Sequence, residues 1–383
     1  MRAQRMGDCV RAFAPGRSEI AGNHVDHQGG RVIAATIRKG ISATAWPLDD
    51  AVIQVDSQGF PPFRIVLDSL GARDAERLSP AAIVRGMAAQ FAALEGVTPR
   101  GFRMQASSTV PVGGGLSSSA AFEMVLGSVI NLLWAQGRVD AHELALMGQR
   151  AERGYFGKPC GLMDQLAIAS GGIQLMDFAD PACASAVSLP NSFARMGLAV
   201  CLVDVGFDHS VATADYASIP QDMWDVAAAM GAQTLSQVPE LDFYARLGDL
   251  RRDLGDIRCL RAMHYYQEVR LVDARAEALR TADREAFIRC TRISAESSAE
   301  WLRNVFIPGS TVQPAAMAIA LGQRLIGDTG AVRIHGGGFG GSVQAFVPIE
   351  RLDVFMDGMI ERFGRDSVSL LDFCDEGAWA QWI

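Results

Sequence analysis

Three stretches of the chain concentrate residue types that can do chemistry. The densest is Pro111-Val112-Gly113-Gly114-Gly115-Leu116-Ser117-Ser118-Ser119-Ala120-Ala121. It follows a β-type run at 102–107 and opens an apolar, helix-like stretch at 118–136. Three successive glycines carry no side chain and tolerate positive φ, so their amide N–H groups can converge on one anion. The helix start that follows adds partial positive charge. Residues 113–119 therefore read as a cradle for nucleotide phosphates, in which a serine hydroxyl could face a bound Mg²⁺. No Gly-Lys-Ser/Thr follows, so this is not a Walker A loop. A flexible linker with serine as a helix cap is the plainer alternative, but a linker would not lead straight into so apolar a helix.

The second stretch, 15–30, places Arg17, Glu19, Asn23, His24, Asp26 and His27 among glycines. Such groups can hydrogen-bond several hydroxyls of a small polar ligand, and Arg17 can also offset phosphate charge. His24, Asp26 and His27 suggest a metal site as well, but their spacing matches no common zinc pattern and cysteine ligands are absent. A polar turn without function is the remaining alternative. The third stretch, 335–342, sets five glycines around Phe339 between two strand-like runs. That exceeds what a hairpin requires and implies close approach to a ligand or another loop, with a plain glycine-rich turn as the equal alternative. Asp164 stands apart, in an apolar surround of Leu162, Met163, Leu166 and Ile168. An unpartnered carboxylate there would be costly. It is either a structural cap or held near a cation such as Arg17 for acid–base work.

The elements that must position these residues fall into blocks. Strand-like runs at 31–37, 41–45, 51–55, 63–67 and 102–107 are separated by breakers such as Gly59-Phe60-Pro61-Pro62. Helical patterns occupy 80–94, 118–136 and 141–152, and strands return at 172–178 and 197–205. The back half is largely helical (220–230, 256–280, 284–303, 314–322) and closes on strands 331–335 and 343–347. Clustered rather than alternating blocks predict an α+β fold. A boundary near Pro190-Asn191-Ser192 divides the chain into domains 1–195 and 196–383.

Composition narrows the class. Of 383 residues, 49% are hydrophobic, which supplies ample core material and excludes a disordered chain. The net charge of −8 argues against nucleic-acid partners or a polybasic membrane surface. Residues 1–17 are basic without the apolar run of a signal peptide, and no stretch approaches about 18 uninterrupted apolar residues. Seven scattered cysteines without a C-x-x-C pair read as free thiols in a reducing cytoplasm. A cytoplasmic protein without a membrane partner is the expectation. Nothing in the sequence gives the oligomeric state.

Taken in this order, the three clusters resemble the galactokinase branch of the GHMP small-molecule kinases, which also includes homoserine, mevalonate and phosphomevalonate kinases. Residues 15–30 are similar to the galactokinase signature, Gly115-Leu116-Ser117-Ser118-Ser119-Ala120 to the ATP-phosphate loop, and 336–341 to the third motif. Matches extend through Ala151-Glu152, 160–165, and Arg261-Ala262-Met263-His264 with Glu268 and Arg270. The resemblance implies a two-domain α+β GHMP-kinase fold with its active site in the interdomain cleft: an N-terminal kinase domain carrying the phosphate loop and a C-terminal α+β domain. It further implies Asp164 as the catalytic aspartate with Arg17 beside it. Sugar contacts would come from Asn23, His24, Asp26 and Tyr216. ATP would lie on Gly113, Gly114, Gly115, Leu116, Ser117, Ser118 and Ser119, with Mg²⁺ on Glu152 and Ser119 (or Ser118). The implied reaction is phosphorylation of galactose at its anomeric hydroxyl by ATP.

Two departures bear on the sugar. Galactokinases usually carry Glu where this chain has Asn23, and Tyr where it has His27. After Tyr216 the family's usual arginines are replaced by Ile219-Pro220. N-acetylgalactosamine, galacturonate and arabinose are therefore alternative acceptors. A catalytically silent galactose and ATP sensor is a further alternative, disfavoured because Ser117–Ser119, Glu152, Arg17 and Asp164 are all in place.

Overall fold

The computed structural model describes residues 9–110, 115–158, 160–180, 184–206 and 213–383. In chain order the first elements are β1 (Val10–Ala21), β2 (Arg31–Pro47), β3 (Val52–Ser57), β4 (Phe63–Val66), α1 (Pro80–Ala92) and β5 (Phe102–Ser108). Next come α2 (Ser118–Ala135), α3 (Ala141–Ala151), α4 (Met163–Ser170), β6 (Ile173–Asp177), β7 (Ser185–Leu189) and β8 (Leu198–Asp204). The helices α5 (Thr213–Ala229), α6 (Glu240–Ala245), α7 (Leu247–Leu254), α8 (Asp256–Thr281), α9 (Arg284–Ser297) and α10 (Pro314–Ile326) follow. The chain ends with β9 (Ala331–His335), β10 (Ser342–Pro348), α11 (Leu352–Phe363), β11 (Val368–Leu370) and β12 (Trp379–Trp382). The clustered α+β pattern expected from sequence is the one observed.

These elements form two compact units, each discontinuous in sequence. The first comprises Met1–Ser18, Ala35–Gly172 and Asp372–Ile383, and the second Glu19–Ala34 and Ile173–Leu371. This differs from a single cut at 195/196. The strands β1 and β2 each run across a unit boundary, and β12 returns to pair antiparallel with β1, Val10 opposite Trp382. Neither feature leaves a local mark in composition.

The first unit is built on a sheet of order β12-β1-β2-β5-β3-β4. β5 runs antiparallel to β2 and parallel to β3, and α1 lies in the crossover that a parallel pair requires. Helices α1, α2, α3 and α4 pack on one another, and α2 rests on β12. α2 is the only helix among the described residues long and apolar enough to cross a membrane, and 72% of it is buried inside the protein. A helix apolar on all sides and covered this way is a core helix. The second unit carries the antiparallel sheet β11-β8-β10-β9 and the β6–β7 hairpin. Val203, Val343, Ala345, Val332 and Ile334 of that sheet pack with Phe355 and Met359 of α11.

The signature stretch 15–30, read from sequence as a ligand-contacting polar cluster with no strand in it, begins as a strand. Ala14, Ser18 and Ile20 are fully buried and Arg17 and Glu19 nearly so. A strand covered on both faces shows no period-two alternation to read. The runs at 31–37 and 41–45 are one strand, β2. Gly40 between them is a close approach and not a turn: a Cβ there would lie 2.4 Å from the Ala14 carbonyl oxygen. Helix α11 and strands β1, β7, β11 and β12 were also not legible in the sequence.

Candidate active site

In the first unit, β1 delivers Arg17 and the first turn of α4 delivers Asp164, 147 residues later. The guanidinium grips the carboxylate with both prongs, Nε to Oδ1 at 2.6 Å and Nη2 to Oδ2 at 2.7 Å. Its third nitrogen, Nη1, donates to the Gly115 carbonyl at 2.7 Å, and the Arg17 amide donates to the Leu116 carbonyl at 3.1 Å. The glycine loop is thus tied to the arginine through its backbone. Ser117 completes the group by donating from Oγ to Asp164 Oδ2. Burial alone would raise the Asp164 carboxyl, but the Arg17 charge and hydrogen bonds, with Ser117, outweigh it and hold it below the ordinary range. Of the two alternatives for Asp164, cap or cation partner, the structure selects the second. Gly113 and Gly114 lie outside the described residues. Leu116 is buried, Ser118 half-buried and Ser119 exposed.

Behind this cluster lie two buried carboxyl groups. Gln165 donates from Nε2 to Glu123 Oε2 and to Glu152 Oε2, both at 2.9 Å. Glu152 begins a widened turn that extends α3, and Lys158 sits 3.9 Å from its Oε1. Burial and then the nearby Glu152 charge push Glu123 well above the usual carboxyl range. Glu123 Oε1 is buried without a hydrogen-bond partner. No group of three His, Cys, Asp or Glu side chains placed to hold a metal occurs among the described residues. Glu123 and Gln165 were not singled out as a linked pair by sequence, because nothing local relates α2 to α4.

The second unit holds the rest of the signature. Residues 19–23 are fixed by buried side chains acting on their backbone. Gln344 donates to the Glu19 carbonyl at 2.9 Å, Arg333 to the Ile20 carbonyl at 3.1 Å, and His264 Nε2 to the Asn23 carbonyl at 3.0 Å. Glu268 accepts from the Gly22 amide at 3.1 Å. Arg333 pairs with Glu19 at 2.5 Å and Arg275 with Glu268, so two buried acids meet two buried bases. Burial alone would raise Glu268, but Arg275, then His264 and Arg333, bring it down to about 2.

Asn23 is fully buried and both ends of its amide are used inside the protein. Nδ2 donates to the Gly336 carbonyl at 2.6 Å, and Oδ1 accepts from Asn304 Nδ2 at 2.8 Å. It ties the signature to the third glycine stretch instead of facing outward. Asn304, which no motif marked, completes this link. His24, at a left-handed φ of +57°, donates from Nε2 to the Gly337 carbonyl at 3.0 Å. Tyr216 of α5 lies against it, ring centroids 5.3 Å apart, and His27 lies 5.9 Å from both His24 and Trp224. Asp26 is half-buried in the short turn that follows. Burial lowers His24 to about 4 and holds His27 well below its ordinary value, so both rings are neutral near pH 7. Of the other matched residues, Arg261 pairs with Asp222 at 2.6 Å, and Arg270 pairs with Glu240 at the surface.

The backbone at 115–117 opening a buried helix and tied to an Arg–Asp pair within a mixed sheet unit is an arrangement suited to a small-molecule kinase. The GHMP kinases N-terminal domain matches residues 82–172. The galactokinase galactose-binding signature matches residues 4–47. The chain is 29% identical over 374 residues to a galactokinase of Actinobacillus pleuropneumoniae serotype 3 (strain JL03), covering 95% of this chain and 93% of that one. It is 28% identical over 361 residues to a galactokinase of Glaesserella parasuis serovar 5 (strain SH0165), covering 93% and 89%. Its fold matches the crystal structure of Lactococcus lactis galactokinase complexed with galactose, with a TM-score of 0.83 at 22% identity over 97% of this chain and 95% of that one. The chain is thus similar along most of its length to galactokinases, and two of its segments match models of the GHMP kinases and of the galactokinase signature.

Proposed function

We propose that this protein is an ATP-dependent sugar 1-kinase that converts galactose and ATP to galactose 1-phosphate and ADP. The observation that carries the reading is the two-pronged Arg17–Asp164 pair, with the arginine also bonded to the phosphate-loop backbone at Gly115. The similarity to galactokinases supports the substrate class.

The chemistry follows from charge. The loop amides and the start of α2 favour the phosphates, and Arg17 offers positive charge to the group in transfer. Asp164 accepts a hydrogen bond from the attacking hydroxyl and sets its direction toward the γ-phosphorus. Because Arg17 keeps it a weak base, orientation and electrostatics carry more of the work than proton abstraction. The donor set also fits Mg²⁺. Two buried carboxyl groups with one oxygen lacking a partner and a lysine at arm's length form a hard-oxygen, electron-rich corner. Glu152 with Ser119 or Ser118 would hold the ion, which when bound neutralises charge on the β- and γ-phosphates. On the sugar, His24 with its neutral ring, Asp26 and Tyr216 provide hydrogen-bonding and stacking groups. A protein working on free sugar with ATP belongs in the cytoplasm.

Asn23 favours a second reading in which the acceptor is a related sugar. Its amide is fully engaged within the protein, so it offers no carboxylate to a distal hydroxyl. The neutral His24 and His27 speak against galacturonate, whose carboxylate calls for a cation. The test is ADP release with galactose, N-acetylgalactosamine, galacturonate and arabinose. Galactose is expected to give the highest kcat/KM. A preference for another sugar selects the second reading, and no sugar-dependent ADP release overturns both.

A further inference from the structure

Ser117 occupies the residue before α2, where a serine side chain ordinarily accepts a hydrogen bond from an amide of the first helical turn. It makes no such bond. Its backbone is left-handed, φ +55° and ψ +56°, a conformation unfavourable for a non-glycine residue. That backbone sends Oγ to Asp164 Oδ2. Gly115, Leu116 and Ser117 are therefore three consecutive loop residues each bonded to Arg17 or Asp164.

A carboxylate has about four lone-pair positions. Arg17 Nε takes one on Oδ1, while Arg17 Nη2 and Ser117 Oγ take both on Oδ2. One position remains, on Oδ1. The Asp164 side chain is still 31% exposed.

We propose that Ser117 is a positioning residue for Asp164, filling the second site on Oδ2 so that the acceptor hydroxyl can bond only Oδ1, and that its hydroxyl serves the carboxylate and not the ATP phosphates. This rests on the kinase reading above. It gives the loop a second task besides holding phosphate, because a shift of residues 115–117 moves the catalytic carboxylate directly. The charged groups facing Asp164 are Arg17 from β1 and, at longer range, Lys158 before α4 and Glu123 from α2.

The test uses Ser117→Gly, which removes the hydroxyl while easing the left-handed backbone, with Ser117→Ala as the second variant. In both, the acidic limb of the kcat–pH profile should move up by about one pH unit. At pH 7 kcat should fall about tenfold while KM for ATP stays within about twofold. A rise of about tenfold in KM for ATP with an unmoved acidic limb would show the hydroxyl serving phosphate and overturn the proposal. No change in either quantity would overturn it too. The ¹³C titration of the Asp164 carboxyl, identified by its loss in Asp164→Asn, reads the same bond without turnover. Its midpoint should rise in Ser117→Ala, and an unchanged midpoint again counts against the proposal. If the wild type phosphorylates no sugar, the kinase reading falls, while this titration still decides the Ser117–Asp164 bond.

Discussion

Arg17 and Asp164 show how much one ion pair can settle. Sequence marked both as candidates by residue type: a guanidinium among glycines, a carboxylate among apolar neighbours. Their pairing was one of two open alternatives, because 147 residues separate them and no local pattern links β1 to α4. Once paired, the chemistry narrows, since a carboxylate with three donors on two oxygens orients better than it abstracts. Asp164→Asn keeps the volume and removes the charge. It should lower kcat by at least about 100-fold while sugar binding, read by calorimetry, changes little. Near-normal turnover in that variant would remove Asp164 from the reaction.

Among the elements, the third glycine stretch was the weakest reading from sequence alone, with a plain glycine turn as its alternative. The structure gives it partners within the second unit: Asn23 on the Gly336 carbonyl, His24 and Asn304 on that of Gly337. Tyr216 lies so close that a Cβ on Gly337 would fall 2.2 Å from its ring. Half of Tyr216 is exposed, so the ring can swing away at little cost. Gly337→Ala should therefore leave the thermal midpoint nearly unchanged and raise KM for the sugar several-fold with KM for ATP constant. An unaltered sugar KM would show that Tyr216 is not part of sugar recognition. Strand β1 teaches a related lesson. Its charged residues read as ligand contacts with no strand among them, yet Glu19 and Arg17 are buried and paired, and burial on both faces explains a strand without alternation.

At the scale of the whole molecule, acid should act unequally on the two units. Burial depresses His24 to about 4 and lowers His27 and His264, all in the second unit. Below the ordinary histidine value the unfolded chain takes up protons that the folded chain refuses, so stability falls as pH drops from about 6.5 toward 4. For His24 alone the ceiling is roughly 3 kcal/mol. Glu268, held at about 2, adds stability present above its ordinary value near 4.5 and lost as pH falls toward 2. Glu123, in the first unit, works the other way: its raised carboxyl takes up a proton on acidification and sheds the cost of buried charge. Between pH 7.5 and pH 5, hydrogen-exchange protection relative to the intrinsic rate should fall first in α8 of the second unit. Equal protection of both units at pH 5 would contradict the assignment.

Sequence by itself determined the chemistry on offer. Glycine runs at 113–115 and 336–341, the helix start at Ser118, and the charges of Arg17, Asp26, Glu152 and Asp164 are properties of residues and near neighbours, and local physics fixes them. Tertiary structure alone decided how they are used. The Arg17–Asp164 grip, the Glu123–Gln165–Glu152 bridge and the engaged amide of Asn23 all join segments far apart in the chain. So does the division into two discontinuous units. Periodicity and spacing report on neighbours within a few turns. Burial and pairing depend on which distant surfaces meet, and only the folded chain specifies that.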